Sequence, residues 1–489
     1  MNALPARLRA ALVAADFTYD AVADLLGPLA HSALSRNETT PGLRAATGGS
    51  PVETLTRLFL LQAPVSRAEA ERALPGLLDE LSAQGIVEQT VGEVGARLDV
   101  RPYAAPHDDD PGDLWIVSDL TPGLDGSANR VGTDHVLGIS PASTSLAQQT
   151  LPAPVGRSLD LGTGCGVQAL HLARHSGSVV ATDVNKRALW MTRFNVALNE
   201  IDNVDVREGS FFEPVAGETF DLIATNPPFV ISPATGERLV YRDSGMPGDR
   251  VVEHIVRASP DLLAPGGWCQ VLANWVIARD LPWEERLGAW VDESCEAFVV
   301  QREVLDPAAY VELWLKDAGL HGAAGYGERY DTWLSWFDEQ GIEGVGFGWI
   351  NLRKSATGPS DFLEWPYDVE QPIAPAIGEW ATARDLLAAA PDISAARLLT
   401  RSDVRQESAG APGGDDPETI VVRQQRGLRR ARQVDTVEAA LLGACDGDLT
   451  IGQILAAVAQ ILERDEAELR ATYLPVVAEL VREGFLTAG

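Results

Sequence analysis

The sequence predicts an α/β protein: a seven-stranded, doubly wound sheet carrying a small helical module at each end. Three observations carry that prediction. From Ser158 to about Lys354, short apolar runs alternate with helical patterns, the order that builds a parallel sheet with helical crossovers. A glycine-rich turn, "LDLGTGCG", opens the first helix of that series. The two ends of the chain read instead as clustered helices followed by short extended segments. At 489 residues the chain exceeds one ordinary core and is expected to form several domains.

The N-terminal module is expected over residues 1–105. In "SPVETLTRLFLLQ", Ser50 is placed to cap a helix, with Pro51 at its first position and Glu53 in its first turn. "SRAEAERALP" and "PGLLDELSAQGIV" follow, the second ending at Gly85, and "VEQTVGEVGARLDVRPYAA" alternates around glycines like a hairpin. Three helices and a hairpin give a winged-helix-like order. The acidic "PHDDDPGD" then leads into the central domain, residues 106–355. "LWIVSDL" reads as a strand, and a helix capped at Ser140 or Ser143 comes next. The seven sheet strands are "RSLDLG", "SVVATD", "VDVREG", "FDLIATN", "WCQVLANWV", "AFVVQREVL" and "GVGFGWINLRK", with two helical segments before the last. Residues 356–375 are expected as a proline-rich linker. Residues 376–489 form a C-terminal module that again ends in a winged-helix-like group of helices.

Composition narrows the function. Lys+Arg minus Asp+Glu is 39 − 70 = −31, a field that repels a phosphate backbone unless a local basic patch overrides it. The cluster Arg423, Arg426, Arg429, Arg430 and Arg432 is the strongest such patch; it reads as a solvated connection balanced by acidic neighbours, with a nucleic-acid contact as the alternative. No apolar run approaches the roughly 20 residues of a membrane span, and the N-terminus has no secretory pattern, so a cytoplasmic location is expected. The four cysteines are scattered singly, which points to neither a zinc site nor a disulfide framework; no metal is expected.

The chemistry sits at the ends of two strands. In "LDLGTGCG", Gly162, Gly164 and Gly166 let the backbone turn tightly and approach a ligand at a helix start. Asp183 ends the next strand, 183 − 162 = 21 residues after the first glycine, where a carboxylate can accept two ribose hydroxyls. A dinucleotide and S-adenosylmethionine both fit that pattern. The spacing is G-x-G-x-G rather than G-x-G-x-x-G, and Asp160 before the turn suits a cationic amino group better than a pyrophosphate. The strand "DLIATNPPFV" then delivers Asn226, Pro227, Pro228 and Phe229 to the same sheet edge.

With "ATD" and "REGSFFEP" in order between them, these motifs resemble the class I S-adenosylmethionine-dependent methyltransferases. The N-P-P-F version is similar to the HemK-type glutamine methyltransferases and the ribosomal-RNA guanine N-methyltransferases. The resemblance covers roughly residues 131–354. It implies a Rossmann-like fold and S-adenosyl-L-methionine as cofactor. Asp160, Gly162, Thr163, Gly164 and Gly166 would wrap its methionine part, Asp183 would hold the ribose hydroxyls, Ser210 and Phe211 would meet the adenine, and Val184 and Asn226 are further cofactor contacts. Ser210 stands where the family usually has an acidic residue. The resemblance makes Asn226, Pro227 and Phe229 the catalytic residues. The Asn226 side-chain oxygen and the Pro227 carbonyl would each accept an N–H of a flat nitrogen, while the prolines fix the backbone and Phe229 stacks on the acceptor. Pro228, Tyr241 and Arg242 are candidate substrate contacts, Trp275 is expected in the core, and His135 takes no assigned role. The expected activity is methyl transfer to an amide or exocyclic amino nitrogen. The acceptor is a protein glutamine or a nucleobase, with a small metabolite as the alternative. A cofactor-binding scaffold without turnover is the reading from a different class.

Overall fold

The computed structural model describes residues 3–104, 113–127, 132–233, 246–355, 358–410 and 417–489. The chain divides into two compact units, Met1–Lys354 with Phe362–Glu364, and Ser355–Asp361 with Trp365–Gly489.

The first unit opens with helices α1 (Leu4–Ala14), α2 (Tyr19–Leu34), α3 (Thr40–Ala45) and α4 (Pro51–Leu55). Strand β1 (Val65–Ser66), helices α5 (Arg67–Ala73) and α6 (Leu78–Ala83), and strands β2 (Val87–Gln89) and β3 (Glu93–Ala96) follow, in a small sheet of order β1-β3-β2. Ser50 and Ser66 each complete a capping box, with Glu53 and Glu69, which starts α4 and α5 where their sequences require. Strands β4 (Leu98–Tyr103) and β5 (Leu114–Asp119) form a separate antiparallel ribbon.

The central sheet is built from β6 (Val155–Leu161), β7 (Ser176–Asp183), β8 (Val204–Glu208), β9 (Phe220–Thr225), β10 (Leu263–Ala278), β11 (Glu296–Leu305), β12 (Ile342–Arg353) and β13 (Asp361–Glu364). Its eight strands run in the order β13-β11-β12-β10-β9-β6-β7-β8. Strands β10, β9, β6, β7 and β8 are parallel neighbours, whereas β12 is antiparallel to both β10 and β11. The expectation of seven strands is corrected in two ways. All seven are present, but the segment expected to be linker supplies an eighth, and the sheet is mixed rather than wholly parallel. The backbone groups of the short stretch "DFLE" are satisfied by joining the sheet beside β11.

Helices α7 (Pro141–Gln149), α8 (Val167–Ala173), α9 (Lys186–Leu198), α10 (Arg250–Ala258), α11 (Trp283–Gly288), α12 (Pro307–Asp317) and α13 (Tyr326–Glu339) accompany these strands. Alternate residues of the strands feed different cores. Leu159, Leu161, Val180 and Ile223 pack with Val252 and Ile255 of α10, while Val179, Ala181, Leu222 and Ala224 pack with Leu146 of α7 and Leu172 of α8. Burial of both faces explains the uninterrupted apolar runs "VVA" in β7 and "LIA" in β9. Ser140 caps α7, whose far end is fixed by a buried polar group: Gln149 and Gln270 both donate to Asn351 Oδ1, at 3.0 and 2.9 Å.

The boundary expected near residue 105 is not a break in packing. Leu4, Leu8 and Leu12 of α1 share one apolar cluster with Met191, Phe194 and Leu198 of α9. Two asparagines of α9 also grip the β5 backbone. Asn195 accepts from Val117 N and donates to Val117 O, and Asn199 does the same with Trp115, all at 2.8–2.9 Å. Asn195 donates again to the carbonyl of Cys165 at 2.7 Å. Side-chain amides one helical turn apart thus take the place of a neighbouring strand.

The second unit comprises α14 (Ala374–Ala389), β14 (Arg397–Thr400), β15 (Val404–Ala409), β16 (Thr419–Gln424), β17 (Ala431–Val434), α15 (Thr436–Ala444), β18 (Asp446–Thr450), α16 (Ile451–Ile461), α17 (Glu466–Arg482) and β19 (Leu486–Ala488). Its sheets have the orders β18-β14-β19 and β15-β16-β17. Two arginines of the arginine-rich stretch are paired with acids within the unit. Arg432 pairs with Glu438, Glu479 and Glu483, Arg423 pairs with Glu407, and the Arg430 guanidinium lies over Trp365. All four cysteines are free and buried.

Candidate active site

Three neighbouring strands end in one row. Leu161 of β6 pairs with Thr182 of β7 on one side and with Thr225 of β9 on the other. The next residues, Gly162, Asp183 and Asn226, therefore emerge side by side at the carboxyl edge. The row spans the place where the chain order reverses, since β7 and β8 lie to one side of β6 and β9 and β10 to the other. Such a reversal opens a crevice, because the following connections leave in opposite directions. Thr225 Oγ1 donates to the Leu161 carbonyl at 2.8 Å and locks the two strand tips together.

The turn after β6 depends on glycine. Gly164 has φ +57° and Gly166, at the start of α8, has φ +91°. At Gly166 a Cβ would also press on Thr192 at 3.1 Å. Asp183 closes the turn from the neighbouring strand: its Oδ2 accepts from Gly164 N at 3.0 Å and its Oδ1 from Asn185 N at 2.8 Å. Burial raises its pKa above the usual carboxylate value, against the pull of those amides. Each oxygen keeps acceptor capacity for a ligand hydroxyl. Asp160 lies deeper, with Oδ2 accepting from Thr163 Oγ1 at 2.6 Å and Ala169 N at 2.9 Å. Burial pushes its pKa up to about 7, and the nearby Asp183 charge adds to the shift.

These residues line one cleft of about 1160 Å³ together with Asn226, Pro227, Pro228 and Phe229. Asn226 Oδ1 is buried there and, among the described residues, has no hydrogen-bond partner. A shielded carbonyl oxygen without a donor is costly unless a ligand supplies one. Pro227 is buried, and Phe229 packs edge-on to Trp314 with ring centroids 6.2 Å apart. Ser210 and Phe211 line the same cleft. Phe211 holds φ +46°, and its ring meets the His254 ring at 4.8 Å. Val184 also lines it and is 64% exposed. Tyr241 and Arg242 lie outside the described residues. Trp275 is fully buried and donates to Gln301 Oε1 at 3.0 Å, so it belongs to the core.

The remaining wall comes from residues 133–143, including His135. Asp119, at the end of β5, accepts from Val136 N at 2.7 Å and pairs with Arg187 of α9. Asn185 holds the Asp134 carbonyl at 3.0 Å, and Gln168 holds that of Ser143 at 2.7 Å. Sequence reasoning missed Leu313, Trp314 and Asp317 of α12, along with Asn274 and Phe347, all of which line the cleft. The spacing Tyr310, Leu313, Trp314, Asp317 marks one helical face, but the spacing does not say what that face meets. Among the described residues, no group of three or more His, Cys, Asp or Glu could hold a metal ion. The glycine turn, the buried Asp160 and half-buried Asp183 carboxylates and the amide oxygen of Asn226 suit a nucleoside that carries a positive centre.

Comparison with known proteins divides the chain in three. Residues 138–297 match the methyltransferase small domain family, while residues 14–97 and 378–488 match two domains of unknown function. The chain is 39% identical over 155 residues to the release factor glutamine methyltransferase of Yersinia pestis, covering 28% of this chain and 55% of that protein. It is 35% identical over 127 residues to the ribosomal protein uL3 glutamine methyltransferase of Bradyrhizobium diazoefficiens, covering 24% and 40%. It is 28% identical over 139 residues to the ribosomal RNA small subunit methyltransferase C of Alcanivorax borkumensis, covering 28% and 36%. The chain therefore spans about half, or less, of the length of these relatives. A solved structure, the Thermus thermophilus 16S rRNA N2 G1207 methyltransferase with AdoMet and guanosine, aligns at TM-score 0.29 and 16% identity, covering 48% of this chain and 60% of that one. The glycine turn, Asp183 and Asn226 all lie within residues 138–297, the segment that matches the methyltransferase small domain family.

Proposed function

We propose that this protein transfers a methyl group from S-adenosylmethionine to a planar amide or exocyclic amino nitrogen held at Asn226–Phe229. The observation that carries the reading is the Asn226 side-chain oxygen, buried without a partner among the described residues, in the cleft that also contains Asp183. When bound, the cofactor supplies an electrophilic methyl carbon on a positively charged sulfur.

The chain's own residues do the rest. Asp183, held by two backbone amides, offers its carboxylate to a ribose diol, and Asp160 places a second carboxylate beneath the glycine turn. Asn226 Oδ1 and the Pro227 carbonyl accept the two N–H bonds of the acceptor nitrogen. That draws the nitrogen away from conjugation and turns its lone pair toward the methyl carbon. Pro227 and Pro228 fix φ and carry no N–H, so neither residue can donate a hydrogen to its own acceptors. Phe229 gives the flat acceptor a surface to stack on. Rate enhancement then comes from position and from prearranged acceptors rather than from a strong base.

The named glutamine-directed and RNA-directed relatives support both acceptor classes. Incubation with isotopically labelled cofactor and fractionated lysate tests the reading: label is expected in protein or RNA. Absence of cofactor binding by calorimetry would refute it and leave a scaffold. Label confined to small molecules would move the acceptor to a metabolite.

A further inference from the structure

Along α8 every residue from Val167 to Leu172 is buried, and Gln168, only 6% exposed, is one of the polar side chains in that run. A buried primary amide needs partners for both of its ends. The nitrogen end has one: Gln168 Nε2 donates to the Ser143 carbonyl at 2.7 Å, which ties α8 to the first turn of α7. That bond also fixes which way the amide points, because a flipped group would set two oxygens against each other. The oxygen therefore faces away from α7. Gln168 Oε1 is shielded from solvent and, among the described residues, has no hydrogen-bond partner. Gln168 lines the cleft, as do Ser143 and Asp160.

A donor brought by a ligand would satisfy that oxygen. Asp160 bounds the same spot. Its Oδ2 accepts from the amide of Ala169, the residue after Gln168, and from Thr163 Oγ1, while no described residue donates to its Oδ1. A neutral acceptor and a carboxylate, both buried at the start of one helix, thus present two oxygens with capacity to spare. Among the described residues lining the cleft, none is Lys or Arg. Such an end favours a group with several N–H donors and a positive charge, and it disfavours a carboxylate.

We infer, resting on the methyl-transfer reading above, that Gln168 is a cofactor-selecting residue: its side-chain oxygen, beside Asp160, takes an N–H of the ammonium group at the amino-acid end of the bound cofactor.

The test is binding to the full chain, read by calorimetry and ligand-observed NMR, of three adenosine thioethers that differ only at the far end. S-adenosylhomocysteine carries ammonium and carboxylate, S-adenosyl-3-thiopropylamine carries the ammonium alone, and 5′-methylthioadenosine carries neither. Each affinity is taken relative to that of 5′-methylthioadenosine, whose retained binding also reports that a variant is folded. In Gln168→Leu both ratios should fall about tenfold, the scale of one hydrogen bond to a charged group. Gln168→Glu keeps an acceptor oxygen at the same place and should hold both ratios at or above wild type. A fall for S-adenosylhomocysteine alone would assign Gln168 to the carboxylate and overturn the inference. Equal weakening of all three probes would make the side chain a strut for α7, and unchanged ratios in Gln168→Leu would give it no part in binding; either overturns it. Ratios that fall in Gln168→Glu would overturn it as well, whether or not Gln168→Leu folds. These outcomes leave the methyl-transfer reading standing. That reading fails, taking this inference with it, if the wild type binds none of the probes.

Discussion

Asp183 Oδ2 accepts the Gly164 amide at 3.0 Å, so the carboxylate ending β7 and the glycine turn after β6 form one hydrogen-bonded unit. Anything that disturbs either partner alters the same wall of the cleft.

Asp183→Ala is therefore expected to weaken S-adenosylmethionine binding by about 1.5–3 kcal/mol, the scale of hydrogen bonds to a charged group. Asp183→Asn keeps an acceptor for the turn and should lose less. Titration calorimetry of both variants checks this, and an affinity for Asp183→Ala equal to wild type would remove Asp183 from the ribose site.

Asn226→Ala should leave cofactor affinity nearly intact and lower turnover by about a hundredfold or more, as loss of a prearranged polar group does. Single-turnover rates with labelled cofactor decide the point. Survival of turnover within a few-fold would show that the unpaired oxygen is not part of the chemistry.

Asp160 predicts a pH dependence. Its folded pKa of about 7 lies above its ordinary value, so the fold favours the neutral acid. The stability this group contributes is present below the ordinary value of about 4 and lost as pH rises toward 7. In the cofactor-free protein, the difference in unfolding free energy between wild type and Asp160→Asn should therefore shrink or reverse across that window. A cationic ligand prefers the ionised carboxylate, so S-adenosylmethionine affinity should rise between about pH 6 and 8 in wild type and stay flat in the variant. Flat affinity in wild type would detach Asp160 from the ligand's positive groups.

Asn195→Ala removes three buried hydrogen bonds at once, to Val117 N, Val117 O and Cys165 O. Leaving those backbone groups unpaired should lower stability by roughly 3 kcal/mol. Denaturant unfolding monitored by tryptophan fluorescence measures it. A change below about 0.5 kcal/mol would show that the ribbon is held by apolar packing alone.

Much of the sheet was legible because period and burial agree. The buried halves of β6, β7 and β9 lead directly to Gly162, Asp183 and Asn226, and the same residues that stop the strands carry the polar chemistry. Strand order is another matter. Nothing local places β12 between β10 and β11, because that pairing is decided by the whole sheet. "DFLE" sits among prolines and reads as linker, yet it becomes β13. Asn195 and Asn199 tie β5 to α9 through side-chain amides that hydropathy scores as surface. Leu313, Trp314 and Asp317 showed their common face in the sequence, while their destination depended on the Tyr310 contact with Ile231.

That amide grip governs how the protein can be cut. A fragment begun at residue 138, where the family match starts, would discard β5 and leave both asparagines of α9 facing solvent or nothing. One of the two also braces Cys165, inside the glycine turn, so truncation would loosen the nucleotide end of the cleft from behind. Expression boundaries are better drawn ahead of α1 than at the edge of the recognised family.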